Sequence, residues 1–191
     1  MRLLLLDNYD SFTYNLVAAF AGCAQVEVVV RRNDAISVDD AAPFDALAFS
    51  PGPGLPDQAG IMMSLIERYA ETKPMFGVCL GLQALALVCG GELYNLEQVC
   101  HGVSTMVHVQ DASDPLFRKV PGQFAAGRYH SWALDPARLP ANLRVTATDA
   151  EGVIMAVRHA AYPLFGVQFH PESIMTPLGP ALIKNFIEHV S

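Results

Sequence analysis

Two short stretches hold side chains that together can do covalent and proton-transfer chemistry. One is Phe76-Gly77-Val78-Cys79-Leu80-Gly81; the other is Gly166-Val167-Gln168-Phe169-His170-Pro171-Glu172. A thiolate is a nucleophile, an imidazole exchanges protons near neutral pH, and a carboxylate beside the imidazole fixes its tautomer and stabilises imidazolium. Pro74 to Val78 is a short apolar run suited to a buried strand, and Leu80 to Val88 is apolar and rich in helix formers. Cys79 therefore falls at a strand-to-helix turn. Strand and helix crowd together at such a turn, and Gly77 and Gly81 on either side would let a nucleophile project from its tip. The pattern predicts an exposed thiol facing the positive end of the helix, which favours thiolate and can hold a neighbouring oxyanion. Taken alone, Cys79 also fits a structural position, because free cysteines are commonly core residues.

Of the six histidines, His170 stands out because it ends an apolar strand, as Cys79 does. Pro171 keeps the backbone extended, and a spacing of two puts His170 and Glu172 on the same side. A histidine beside a proline also ends strands with no chemical role, so this motif does not decide the matter by itself. A third stretch, Ser50-Pro51-Gly52-Pro53-Gly54-Leu55-Pro56, fits no regular element. Its glycines and prolines make a stiff bend that can approach a ligand, with the Gly54 N–H free for an oxyanion or a carboxylate, or else a plain rigid turn.

These stretches need elements to hold them. Leu3 to Leu6 reads as a buried strand delivering Asp7 to Ser11 as a loop, followed by a helix capped by Asp10 or Ser11 with Phe12, Leu16, Ala19 and Phe20 at helical spacing. Val26 to Val30 and Phe44 to Phe49 read as the next strands, and Ile61 to Glu71 as a helix. The alternation up to about Gly90 predicts an α/β fold: an open, doubly wound, mostly parallel sheet of flavodoxin-like type, flanked by helices, with its site at the carboxyl ends of the strands. Beyond Gly90-Gly91 the pattern becomes β-rich: Ser104 to Val109, Leu143 to Thr148, Val153 to Arg158 and Leu164 to Phe169 read as strands with turns between them, so the C-terminal half is expected to add extra antiparallel strands. Asp149-Ala150-Glu151-Gly152 reads as a hairpin turn, and Leu178 to Val190 as a closing helix. Gly127-Arg128-Tyr129-His130-Ser131-Trp132 carries many chemical side chains, but local pattern does not place it.

Composition limits the remaining choices. At 191 residues, one domain spanning residues 1–191 is the expectation. Apolar residues make up 52% and charged residues 16%, which allows a large core or a surface covered by a partner subunit. The formal net charge of −7, with no basic cluster beyond Arg31-Arg32, argues against nucleic acid. Cys23, Cys79, Cys89 and Cys100 lie far apart with no Cys-x-x-Cys pair, fitting a reducing compartment without disulfides or a metal site. No apolar run is long enough to cross a membrane, and the expected location is the cytoplasm.

Jointly, the motifs make the chain resemble the class I, triad-type glutamine amidotransferases, and among them the small subunits of anthranilate synthase and aminodeoxychorismate synthase. Gly77-Val78-Cys79-Leu80-Gly81-Leu82-Gln83 is similar to the family's nucleophile motif, Ser50 to Gly54 to its oxyanion loop, and Gly166 to Ser173 to its His/Glu motif. Asp7-Asn8-Tyr9-Asp10-Ser11-Phe12-Thr13-Tyr14-Asn15-Leu16 resembles the chorismate-linked subunits rather than relatives serving GMP, CTP or carbamoyl phosphate synthesis. The resemblance implies a Cys79-His170-Glu172 triad that hydrolyses L-glutamine through a γ-glutamyl thioester, with the N–H groups of Gly54 and Leu80 as the oxyanion hole. Gly52, Pro53, Gly54, Gln83, Ser131 and Trp132 would bind glutamine. It further implies no cofactor in this chain, with Mg2+ only on the partner. That partner would be a chorismate-using synthase subunit, either anthranilate synthase component I or aminodeoxychorismate synthase component I, which receives the ammonia.

Three residues depart from the family pattern: Leu82 stands where histidine is frequent, Trp132 where leucine is usual, and Val103 where lysine is common. Trp132 could reshape the pocket, and Val103 removes a positive charge near the expected partner. A free-standing γ-glutamyl or peptide hydrolase is the competing enzyme class, though it leaves Gln83 and the Asp7 to Leu16 segment without a task. A decayed binding subunit would not need to retain Cys79, His170 and Glu172.

Overall fold

The computed structural model describes all 191 residues, and its backbone is organised by one nine-stranded mixed sheet. The first half supplies β1 (Arg2–Asp7), α1 (Thr13–Ala21), β2 (Glu27–Arg32), β3 (Ala46–Phe49), α2 (Met62–Tyr69), β4 (Met75–Val78) and α3 (Leu80–Val88). The second supplies β5 (Leu93–Val109), β6 (Gln123–Leu134), β7 (Leu143–Thr148), β8 (Ile154–His159), β9 (Leu164–Val167) and α4 (Gly179–Val190). The strand order is β2-β1-β3-β4-β9-β8-β7-β5-β6. The β2-β1-β3-β4-β9 half is parallel, and from β9 onward every pairing is antiparallel.

Alternation along the buried strands sets the two helical layers, because successive side chains point to opposite faces. Leu3 and Leu5 of β1 pack with Phe76 and Val78 under α1 and α4, where Phe20, Phe76 and Phe186 form an aromatic cluster. Leu4 and Leu6 face the other way, packing with Leu47 and Phe49 against α2 and α3. The α/β class and the doubly wound parallel half are thus as the sequence predicts.

Several boundaries differ from the expected ones. No side chain caps α1: Phe12 is at its N-cap, while the Asp10 carboxylate accepts the Phe12 N–H (2.7 Å) and Asp7 accepts the Thr13 hydroxyl (2.7 Å). The turn thereby braces itself just ahead of the helix. Strand β9 stops at Val167 instead of Phe169, because the chain then turns aside until His170 N–H donates to the Gly127 carbonyl on β6 (2.9 Å). The largest difference is β5, which begins at Leu93 instead of Ser104 and pairs along its length with β6, taking in the unplaced Gly127 to Trp132 segment. Breaks in register between Asn95 and Cys100, and between His101 and Val103, interrupt this ribbon. Asp149 to Gly152 forms the expected turn between β7 and β8, with Asp149 Oδ1 accepting the N–H groups of Glu151 (2.9 Å) and Val153 (2.8 Å).

Candidate active site

Adjacent strands β4 and β9 deliver the two chemical motifs side by side. Gly77 is level with Gly166 and Val78 with Val167, and Cys79 N–H donates to the Val167 carbonyl (2.8 Å). Cys79 has φ 52° and ψ −101°, a left-handed conformation that is costly for a residue with a side chain and typical of strained functional turns. The flanking glycines explain how it is reached. A Cβ on Gly77 would sit 2.4 Å from the backbone of Gly81, and one on Gly81 would sit 2.6 Å from the Phe49 carbonyl oxygen. The thiol is not exposed as expected: Cys79 retains only 6% of its surface, and cavities rather than open solvent give access to it.

One cavity, of about 190 Å³, is walled by Gly52, Pro53 and Gly54 on one side and by Ser131 and Trp132 on the other, with Cys79, Leu80 and Gln83 also lining it. That size suits a ligand of about one amino acid rather than a drug-sized molecule. The N–H groups of Gly54 and Leu80 have no hydrogen-bond partner in the protein and so are free to donate. Gly54 has φ 76°, and a Cβ on Gly52 would lie 2.6 Å from Asn8, so the loop's glycines answer both to backbone conformation and to close approach.

His170 meets Cys79 in an adjoining cavity of about 370 Å³, which also reaches Asp10, Phe12 and Tyr129. Its Nδ1 is 2.7 Å from Glu172 Oε1, with both side chains almost wholly buried. A carboxylate there requires the proton on Nδ1. Burial opposes charge on the ring, but the neighbouring Cys79 and Glu172 outweigh it and raise the imidazole above its usual range. Nε2 is buried and forms no aligned hydrogen bond, so the atom nearest the chemistry is kept free. Tyr129, at 4.9 Å between ring centroids, and Phe12, at 6.0 Å, hold the ring edge-on. Asp10 adds a second carboxyl near His170, its acidity weakened first by burial.

The structure also shows partners that the sequence does not disclose. Gln83 Nε2 donates to the Trp132 carbonyl (2.9 Å) and to Gln168 Oε1 (3.3 Å), and Gln168 Nε2 donates to Cys79 Sγ (3.5 Å). His130 lines the smaller cavity, and its Nδ1 lies 2.8 Å from the same Trp132 carbonyl. Gln168 lies within the Gly166 to Ser173 motif, where nothing local marks its contact with the sulfur. Because the Trp132 contacts run through its carbonyl, the indole replacing a leucine leaves them intact. Leu82 faces away from the cavity and packs on Gly166 with Leu134, Leu143 and Ile154. Val103 is exposed, on the β5 ribbon. All four cysteines are free, no cluster of three or more His, Cys, Asp or Glu is arranged to hold a metal, and no helix is long and apolar enough to cross a membrane.

Known proteins similar to the chain identify its family. A model of the family described as glutamine amidotransferase class-I matches residues 4–190. The chain is 45% identical over 188 residues to the aminodeoxychorismate/anthranilate synthase component 2 of Bacillus subtilis, covering 97% of this chain and 95% of that one. It is 42% identical to the anthranilate synthase component 2 of Porphyra purpurea and 42% identical to the aminodeoxychorismate synthase component 2 of Escherichia coli. In each case 97% of this chain and 98% of the relative are covered. Among solved structures, a Thermoplasma acidophilum protein described as a GMP synthase subunit superposes with a TM-score of 0.88 at 23% identity, covering 100% of this chain and 94% of that one, a likeness of fold.

Proposed function

The chain belongs to the class-I glutamine amidotransferase family, and from that premise we propose that it is the glutaminase subunit of an anthranilate synthase. The observation that carries the reading is the shared cavity, in which Cys79 faces free N–H groups on one side and a pocket of amino-acid size on the other. The Cys79 thiolate attacks the side-chain amide carbon of glutamine, and the carbonyl oxygen, now an oxyanion, takes hydrogen bonds from Gly54 and Leu80. His170 Nε2 gives its proton to the departing nitrogen, the C–N bond breaks, and ammonia leaves a γ-glutamyl thioester. His170 then takes a proton from water, whose oxygen attacks the thioester, and glutamate leaves as the thiol is restored. Glu172 holds Nδ1–H throughout. Gly52, Pro53, Gln83, Ser131 and Trp132 bind the amino-acid end.

Ammonia released into bulk water would be protonated and lose its nucleophilicity, so a chorismate-using synthase subunit must receive it directly. The Bacillus subtilis and Escherichia coli names favour a second reading, in which the partner is aminodeoxychorismate synthase component I or one subunit serves both. The test is to assay the chain with each candidate synthase, measuring glutamate release and both aromatic products with glutamine or ammonium as nitrogen donor. Cys79→Ser should abolish glutamine-dependent synthesis while ammonium-dependent synthesis persists. Loss of both would assign Cys79 a structural role.

A further inference from the structure

Resting on that glutaminase reading, we propose that the buried ion pair Arg128–Asp149 is a positioning device for the glutamine pocket. It acts through His130 on the Trp132 carbonyl and, beyond it, on Gln83, Gln168 and the Cys79 sulfur. Arg128 Nη1 donates to Asp149 Oδ2 (2.6 Å) and its Nε to His130 Nε2 (3.0 Å). A guanidinium only donates, so His130 Nε2 is an acceptor and its proton resides on Nδ1, which donates to the Trp132 carbonyl. Gln83 presents its NH₂ to the same carbonyl, which can only accept. Its second hydrogen fixes Oε1 of Gln168 as the acceptor, and Gln168 is left with its NH₂ toward the sulfur. The two branches meet at the Trp132 carbonyl, so what passes from the ion pair to the thiol is the position of that oxygen, held by His130 on one side and gripped by Gln83 on the other.

The anchor itself is rigid. Asp149 belongs to the β7–β8 turn, where its Oδ1 accepts two backbone N–H groups while Oδ2 holds Arg128. Both side chains of the pair are 5% exposed. An ion pair so deeply buried is a poor source of stability, since desolvation offsets its attraction, but breaking it on one side releases an uncompensated charge. The groups facing His130 are Arg128, Asp149, His170 and the Trp132 carbonyl. Burial first, and then the Arg128 charge, keep the ring neutral at neutral pH.

The full-length chain can be tested without its partner. Cys79 is alkylated with a chloroketone analogue of glutamine, which must enter the pocket, or with iodoacetamide, which need not, and both rates are read by mass spectrometry. Arg128→Met should lower the analogue rate about tenfold, the scale of one lost buried hydrogen bond, while iodoacetamide stays within about twofold. Arg128→Lys keeps a charge opposite Asp149 but cannot donate to both partners at once, so it should retain the thermal midpoint and still lose the analogue preference. Asp149→Asn, of the same shape, should give a smaller loss of the same kind. In Arg128→Met the deficit should deepen as pH falls, because the variant loses one of the two influences, after burial, that keep His130 neutral. Equal slowing with both reagents, full activity in Arg128→Lys, or a pH-independent deficit would reduce the pair to a structural strut. A wild-type chain with no preference for the analogue would overturn the glutaminase reading, and the relay with it.

Discussion

At the scale of single residues, His130 makes a measurable claim. Burial first, then the charge of Arg128, push its imidazole down to about 4. A histidine that resists protonation when folded but accepts it when unfolded stabilises the fold above its ordinary value of about 6.5, and loses that contribution as pH falls towards 4. Across that window the group should account for up to about 3 kcal/mol. His130→Gln offers an acceptor and a donor without titrating, so its thermal midpoint should fall less steeply between pH 7 and 4 in calorimetry. Parallel curves for the two proteins would refute the assignment. Cys79, His170 and Glu172 are legible in the sequence because each sits in a motif of adjacent residues. Arg128, Asp149 and Gln168 are not, since their partners come from distant positions brought together only by strand register.

Among the elements, the elbow is the part that the sequence discloses best, because its requirements are local: an apolar strand, an apolar helix and two glycines. The reason for Gly81 is nevertheless tertiary, for α3 rests directly on the backbone of β3. Gly81→Ala would press a methyl group to 2.6 Å from the Phe49 carbonyl, and should cost about 1–3 kcal/mol. Chemical denaturation should show it as a lower midpoint with an unchanged slope; wild-type stability would mean that the helix can shift aside. The β5–β6 ribbon lies at the opposite extreme. Much of β5 is exposed on both faces, so it has no apolar alternation to announce it, and its register is broken twice. The sequence shows only its last six residues as a strand, because those are the ones that reach the core through Val107.

For the whole molecule, composition and periodicity lead to the α/β class and to the change of pattern after Gly90, while the strand order comes only with the structure. Periodicity reports which face a strand buries and says nothing of which neighbour it takes. That order puts β9, the last strand of the chain, in the middle of the sheet between β4 and β8. A chain ended at Ala150 would leave β4 as an open apolar edge and lack α4, and should aggregate on expression; addition of residues 151–191 during refolding should recover soluble material. A soluble, well-folded 1–150 fragment would refute this dependence. The order of synthesis then bears on reactivity. As the chain emerges from the ribosome, Cys79 is made with less than half of the protein complete, and His170 follows ninety-one residues later. The strand that closes the sheet also carries His170 behind it, so a nascent chain cannot bring His170 to Cys79 before its fold is sealed.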